Sequence, residues 1–201
     1  MTAERIVVLS GPTASGKSAL ALALAREFPV EIVNADSLQV YRHFDIGTAK
    51  PTVKERGEVP HHLIDVADPD EPYDAGRYVR EAERAIGEIR ARGKVPMLVG
   101  GTGMYIRALL RGLDPLPSDP RVREELSRRW EAEGGAALHA TLARIDPETS
   151  AKVHPSDRHR VLRALEIAAV AGIPPSRARA AWSSAEARHG CLFLALWPDR
   201  E

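Results

Sequence analysis

The sequence contains a single cysteine, Cys191, and no long apolar run. One thiol cannot form an internal disulfide, and such sparse use of cysteine is typical of proteins from a reducing compartment. No stretch approaches the roughly 18 consecutive apolar residues that a membrane-spanning helix needs, and the N-terminal residues show no signal peptide. These absences predict a cytoplasmic protein without a membrane partner. The apolar neighbours of Cys191 predict a buried, unreactive thiol.

The sequence also lacks net charge, internal repeats and low-complexity tracts. Its 201 residues include 28 basic and 28 acidic side chains, so overall charge neither requires nor excludes a nucleic-acid partner. Residues 121–190 carry 12 Lys and Arg against 9 Asp and Glu, which makes that part mildly basic. A chain of this length with 44% hydrophobic residues can bury one good core and a smaller appended domain.

What the sequence does contain is a glycine-rich segment between an apolar run and an alanine- and leucine-rich helical pattern. Its spacing, G-x-x-x-x-G-K-[ST], is that of a phosphate-binding P-loop; the residues are Gly11, Pro12, Thr13, Ala14, Ser15, Gly16, Lys17 and Ser18. The glycines let successive N–H groups turn toward anionic oxygens. Lys17 supplies a point charge, and the Ser18 hydroxyl is suited to Mg²⁺. We therefore expect this loop to bind a di- or triphosphate with Mg²⁺.

The periodicity of apolar residues predicts an α/β fold, a P-loop NTPase-like parallel sheet flanked by helices, with a helical insertion domain. Predicted strands cover residues 6–9, 30–33, 62–66 and 95–99, and they alternate with helices over 17–27, 75–92 and 104–110. A Pro-rich linker follows, and then helices over 121–133, 135–145, 157–171 and 175–186 and a strand over 192–196. The expected division is a P-loop core (1–116), a helical insertion (117–189) and a return strand (190–201).

Polar residues follow two of the predicted strands at the edge where a parallel sheet binds ligands. Asp36 follows the second strand and Thr102 follows the fourth. Both residue types are also common in turns and helix caps. Asp65 is open to two interpretations, a Walker-B acid or an ordinary residue at a strand end. Arg158 and Arg160 lie on the polar side of a predicted helix, which is also typical of a solvated face.

Taken together, these segments closely resemble the tRNA dimethylallyltransferases. The resemblance is carried by the P-loop and by blocks that follow it in order along essentially the whole chain: Asn34-Ala-Asp-Ser-Leu-Gln-Val-Tyr41, Asp45-Ile-Gly-Thr-Ala-Lys-Pro51, His61-His-Leu-Ile-Asp65, Leu98-Val-Gly-Gly-Thr102, Leu113-Asp-Pro-Leu-Pro117, His154-Pro-Ser-Asp-Arg158 and Arg163-Ala-Leu-Glu166.

The resemblance implies transfer of a dimethylallyl group from dimethylallyl diphosphate to N6 of adenosine 37, in the anticodon loop of tRNA. It implies that the P-loop grips the departing diphosphate, that Mg²⁺ sits on Ser18, and that Asp36, Thr102 and Lys17 are the catalytic residues. The tRNA-contacting segments that it implies are Asp36, Ser37, Leu38 and Gln39, and Asp157, Arg158, His159, Arg160 and Val161.

Members of that family are longer, so we expect this chain to lack their C-terminal part; we also expect a monomer. Three other functions remain open on the motifs. The first is a P-loop kinase of a small metabolite or nucleoside, with Asp36 activating a hydroxyl. The second is an adenylate isopentenyltransferase that uses a free nucleotide as acceptor. The third is a nucleotide-dependent switch or RNA-binding module without chemistry of its own.

Overall fold

The computed structural model describes residues 5–112, 116–178 and 187–197. The chain divides into two compact units, one formed by residues 1–113 and 186–201 and the other by residues 114–185. The first unit is built around a sheet, whereas the described part of the second contains helices and no strand.

The first unit contains a five-stranded sheet in which every neighbouring pair is parallel, in the order β3-β2-β4-β1-β5. The strands are β1 (Arg5–Ser10), β2 (Val30–Asn34), β3 (His61–His62), β4 (Val95–Val99) and β5 (Gly190–Ala195). The helices of this unit are α1 (Lys17–Glu27), α2 (Val53–Glu58), α3 (Ala75–Ala91) and α4 (Gly103–Arg111). The predicted α/β parallel sheet flanked by helices is confirmed.

Side chains alternate between the two faces of the sheet, and each face packs against different helices. Val8, Val33 and Leu98 are buried in one cluster with apolar residues of α3 and α4. Leu9, Ile32 and Met97 belong to a second cluster with Ala21 and Leu22 of α1. Because both faces of the sheet are covered there, β1 and β4 appear in the sequence as nearly continuous apolar runs.

The second unit has its own core. Its helices are α5 (Pro120–Glu133), α6 (Gly135–Ile145), α7 (Pro147–Ser150) and α8 (Arg158–Ala171). Leu126 of α5, Leu138 and Leu142 of α6 and Val161 and Leu165 of α8 pack together in this core. Residues 179–186 of the helix expected over 175–186 lie outside the described residues.

Most element bounds agree with the sequence prediction to within one or two residues, but two short helices were missed. Each has a capping signal: the Thr52 hydroxyl accepts from Glu55 N at the start of α2, and Asp146 accepts from Thr149 N at α7. None of the helices in the described ranges is long and apolar enough to cross a membrane.

Two predictions in the first unit are wrong. The third strand was expected over 62–66 but ends at His62, because Leu63 and Asp65 take φ angles of 62° and 57°, which no strand accommodates. Cys191 was expected to be buried but is exposed. It lies on β5, the outermost strand, which pairs only with β1 and has every residue exposed in the described part of the chain.

Candidate active site at the carboxyl edge of the sheet

The P-loop follows β1 and leads directly into α1. Gly11 and Gly16 take φ angles of 154° and 82°, and Ala14 takes 63°, so the loop needs backbone conformations that side chains disfavour. A Cβ on Gly11 would lie 2.3 Å from the backbone oxygen of Leu196, so only glycine fits there. Thr13 to Ser18 line a cavity of about 490 Å³. Backbone N–H groups at the start of α1 therefore border this cavity.

Lys17, the first residue of α1, folds back over the loop. Its Nζ donates to Pro12 O at 2.6 Å and lies 3.4 Å from Ser15 Oγ. Burial lowers the pKa of Lys17, and the negative charge of Asp36 acts in the opposite direction. Lys17 and Asp36 therefore lie close enough for their charges to interact across the cavity that both line.

Asp36 is held in a turn just beyond β2. Buried Asn34 shapes this turn: its Oδ1 accepts from Asp36 N at 3.0 Å, and its Nδ2 donates to the backbone oxygens of Asp36 and Leu63. The carboxylate Oδ1 of Asp36 accepts from the backbone N–H groups of Leu38 and Gln39, at 2.9 and 3.4 Å. Among the described residues, no hydrogen bond engages Oδ2, which leaves one oxygen free to accept a proton.

Close backbone contacts join the ends of β2 and β4. Ala35 N donates to Val99 O at 2.9 Å, and Thr102 N donates to Ala35 O at 3.0 Å. A Cβ on Gly100 would lie 2.2 Å from Ala35 O, so the two backbones meet only because residue 100 is glycine. The Thr102 hydroxyl accepts from Ser37 N at 2.9 Å. Thr102 thus lies beside the Asp36 turn, although it does not itself line the cavity.

Polar and apolar residues both line the cavity. The polar lining residues include those of the P-loop, Asp36, Gln39 and Lys50. The apolar lining residues include Ala21 and Leu22 of α1, Ile32 and Val99 of the sheet, and Ile64 after β3. The cavity wall thus offers both polar and apolar contacts.

Asp65 does not line this cavity but a neighbouring, more open cleft. Its carboxylate forms ion pairs with Lys50 at 2.7 Å and Arg56 at 2.7 Å. Burial acts to raise its pKa, but these two cations together hold the pKa of Asp65 below its usual value. The structure therefore favours a structural ion pair over a Walker-B role for this residue.

Sequence reasoning missed several residues of the cavity wall, namely Thr48, Ala49, Lys50, Glu55 and His61. His61 Nδ1 lies 2.7 Å from Val59 O, and burial lowers the pKa of this imidazole. The signal for Glu55 was present as the capping box Thr52-x-x-Glu55. Thr48, Ala49 and Lys50 come from a loop whose path no periodicity defines.

The second predicted tRNA-contacting segment begins α8 in the second unit. Asp157 caps the helix by accepting from Arg160 N at 3.1 Å. Arg158 pairs with Glu131 at 3.0 Å and Arg160 with Asp157 at 3.3 Å, and both guanidinium groups are well exposed. Val161 is the exception in this segment, because its side chain is fully buried in the helical core and is not available to a partner.

No group of three or more His, Cys, Asp or Glu side chains that could hold a metal occurs in the described residues. The metal-binding candidate is the exposed hydroxyl of Ser18, which lines the cavity next to the loop N–H groups. One hydroxyl fits a Mg²⁺ site of the kind in which substrate phosphates and water supply most ligands.

Two family models match this chain. The model described as IPP transferase matches residues 39–201, and that described as isopentenyl transferase matches residues 4–64. Among curated relatives, the tRNA dimethylallyltransferase of Desulfosudis oleivorans is 50% identical over 201 residues, which is all of this chain and 64% of that protein. That of Anaeromyxobacter dehalogenans is 52% identical over 197 residues, covering 98% of this chain and 64% of that protein.

Two solved structures have the same fold. A eukaryotic dimethylallyltransferase acting on tRNA is 33% identical with a TM-score of 0.78, and the match covers 98% of this chain and 49% of that one. The full-length tRNA isopentenylpyrophosphate transferase of Bacillus halodurans is 43% identical with a TM-score of 0.55, covering 85% and 57%. With a P-loop facing Asp36 at the carboxyl edge of the sheet and a family match over most of its length, this chain belongs to the IPP transferase family.

Proposed function

We propose that this protein transfers a dimethylallyl group from dimethylallyl diphosphate to N6 of adenosine 37 in tRNA and releases diphosphate. The observation that carries the proposal is the placement of the Asp36 carboxylate opposite Lys17 in one cavity with the P-loop. Relatives of the same family named tRNA dimethylallyltransferase support this substrate pair. This chain spans 64% of the length of the first of those relatives.

The P-loop is the proposed site of the diphosphate. Its N–H groups, the dipole of α1 and the Lys17 ammonium all favour negative charge at this end of the cavity. They stabilise the charge that develops on the diphosphate as the bond between its oxygen and the allylic C1 breaks. The apolar wall at Leu22 and Ile32 suits the hydrocarbon part of the donor.

Mg²⁺ is the proposed metal, held on the protein side by the Ser18 hydroxyl. When bound there, it neutralises charge on diphosphate oxygens. The remaining ligands in such a site are phosphate oxygens and water, which agrees with a protein contribution of one hydroxyl.

Asp36 is the proposed general base. The exocyclic amine of adenine is a weak nucleophile because its lone pair is delocalised into the ring, and it must lose a proton as the bond between N6 and C1 forms. The Oδ2 atom of Asp36 is the acceptor for that proton, while Oδ1 remains engaged by Leu38 N and Gln39 N. The base must first leave its stack in the anticodon loop to reach this carboxylate.

A single assay tests the proposal against its alternatives. The purified protein is incubated with Mg²⁺, dimethylallyl diphosphate and an unmodified tRNA that has adenosines at positions 36 to 38. Prenylated adenosine detected by mass spectrometry supports the proposal. Prenylation of free AMP without tRNA would instead indicate an adenylate isopentenyltransferase. Phosphorylation of a small acceptor by ATP would indicate a kinase and would overturn the proposal.

A further inference from the structure

Lys50 has the position of a second substrate-binding cation but not the contacts of one. It lines both the main cavity and the neighbouring cleft. Its Nζ donates to Tyr41 O at 2.8 Å, to Asp45 Oδ1 at 2.8 Å and to Asp65 Oδ1 at 2.7 Å. An ammonium has three hydrogen-bond donors, so all three are used within the protein.

The environment of Lys50 keeps it charged and bound to these acceptors. Its side chain is only 3% exposed. Burial by itself would lower its pKa, but the hydrogen bonds to Asp45 and Asp65 outweigh that effect and raise it above the usual value. Because two carboxylates already neutralise the charge of Lys50, its electrostatic attraction for a diphosphate is weak.

These contacts fasten one segment, which we define as the wall loop, residues 42–51. The loop contributes Thr48, Ala49 and Lys50 to the cavity wall. Lys50 ties the end of the loop to the backbone of Tyr41 at its start and to Asp65, which follows β3. Asp65 is in turn held by Arg56 of α2 at 2.7 Å. The buried ammonium of Lys50 thus closes the wall loop on itself and ties its end to Asp65, while Arg42 holds its start through a backbone hydrogen bond to Ala67 O and an ion pair with Asp68, both at 2.9 Å.

The same loop is joined to the proposed general base. Gln39 Nε2 donates to Thr48 O at 2.9 Å and to Ala49 O at 3.1 Å. The backbone N–H of Gln39 lies 3.4 Å from Asp36 Oδ1. A shift of the wall loop therefore acts on the turn that sets the direction of the Asp36 carboxylate.

We propose that Lys50 is a positioning residue, which fixes the wall loop and through Gln39 the turn carrying Asp36, and that it does not contact the diphosphate. Its part in the reaction rests on the proposed function, whereas its effect on the loop does not. The alternative role for a lysine beside a P-loop is direct binding of phosphate.

The test compares Lys50→Met with Lys54→Met, which removes the same charge from the exposed face of α2. We expect Lys50→Met to bind inorganic pyrophosphate with Mg²⁺ within about twofold of the parent in calorimetry, because the P-loop is intact. We expect trypsin to cleave after Arg42 at least about tenfold faster, and the kcat for tRNA to fall by about tenfold or more, since small misplacements of reacting groups are costly. Lys54→Met should match the parent in all three.

A double-mutant cycle with Asp65→Asn separates the two roles. If Lys50 acts through its ion pair, Lys50→Met and Asp65→Asn are strongly non-additive, because either change alone already removes the pair between Lys50 and Asp65. If Lys50 binds diphosphate, pyrophosphate affinity falls tenfold or more in Lys50→Met, cleavage after Arg42 is unchanged and the two substitutions are additive. That result would overturn the inference.

Asp45→Asn provides the same test without a buried substitution, because the Asp45 side chain is 69% exposed. It should accelerate cleavage after Arg42 to a smaller extent and leave pyrophosphate affinity unchanged; unchanged cleavage would count against the anchoring role. Absence of prenyl transfer in the parent protein would contradict the proposed function, while the pyrophosphate and proteolysis measurements would still decide the role of Lys50.

Discussion

The hydroxyl of Thr102 accepts a 2.9 Å hydrogen bond from the backbone N–H of Ser37. This bond joins the turn after β4 to the turn after β2, which carries Asp36. It uses the hydroxyl as an acceptor, so the hydroxyl hydrogen remains available to donate. Thr102 therefore supports the Asp36 turn, and within the described residues its hydroxyl donates no hydrogen bond.

Replacing Thr102 with valine should lower kcat by about 10²-fold, because the turn that carries Asp36 loses a hydrogen bond and a small misplacement of a reacting group is costly. Valine keeps the shape of the side chain but leaves Ser37 N without its partner. Thr102→Ser retains the hydroxyl and should keep most of the rate. Steady-state prenylation of tRNA measures both variants, and equal rates for them would contradict the role given to the hydroxyl.

Replacing Asp36 with asparagine should remove the base and preserve the turn. The amide oxygen still accepts from Leu38 N and Gln39 N, so the local backbone keeps its geometry. We expect single-turnover prenylation to slow by about 10²- to 10⁴-fold, the range typical of general-base catalysis. Affinity for tRNA, measured by filter binding, should stay close to that of the parent. A variant that kept most of its rate would show that Asp36 is not the base.

Gly100→Ala should destabilise the protein, because its Cβ would lie 2.2 Å from the backbone oxygen of Ala35. Backbone must move to relieve such a contact, at a cost of about 1–3 kcal/mol or more. Gly87→Ala is the matched control, since this α3 glycine has no atom within 4 Å of its would-be Cβ. It should stabilise the protein by about 0.5–1 kcal/mol through helix propensity. Urea unfolding of the two variants should move in opposite directions.

Glu31 should make stability depend on pH. Its buried carboxylate receives two hydrogen bonds from Arg92, at 3.0 and 2.7 Å, and lies 2.8 Å from His62 Nε2. The hydrogen bonds from Arg92 are the main cause that lowers the pKa of Glu31, while burial opposes them. Since the folded pKa lies below the unfolded value of about 4.3, this stabilisation is fully present above the unfolded pKa and is lost as pH falls through the folded one.

At pH 7, Glu31→Gln should therefore be less stable than the parent by about 1–3 kcal/mol, the usual worth of hydrogen bonds to a charged group. The difference should shrink as the pH falls below the unfolded pKa of about 4.3 and disappear once the pH is below the folded pKa of Glu31. Urea denaturation at a series of pH values measures it. A difference that stayed constant down to acid pH would contradict the assignment.

Arg158→Gln and Arg160→Gln should each weaken tRNA binding and reduce the slope of log affinity against log salt by about one, as expected for a phosphate contact. Both side chains are exposed at the start of α8. Arg84→Gln removes an exposed arginine from α3 in the first unit and serves as the control. Unchanged salt slopes for the α8 variants would indicate a solvated helix face.

The sequence predicted the structure correctly where the deciding interactions lie between residues close together in the chain. The P-loop spacing defined the start of α1 at Lys17, and continuous apolar runs located β1, β2 and β4 because each is buried on both faces. Asp36 and Thr102 were found because both directly follow strands whose carboxyl ends meet at one edge of a parallel sheet.

Long-range packing decided the rest. Periodicity could not show that the chain after His62 turns away with positive φ angles to place Asp65 against Lys50, since that path depends on partners 15 residues apart. Nor could composition show that Cys191 lies on an exposed edge strand, because the apolar sequence of β5 resembles that of the buried strands. The sequence by itself located the P-loop and Asp36, which we propose bring phosphate and proton chemistry to this protein. Only the tertiary structure decided which buried ion pair holds the wall of their cavity, because charges find their partners through the fold and not along the chain.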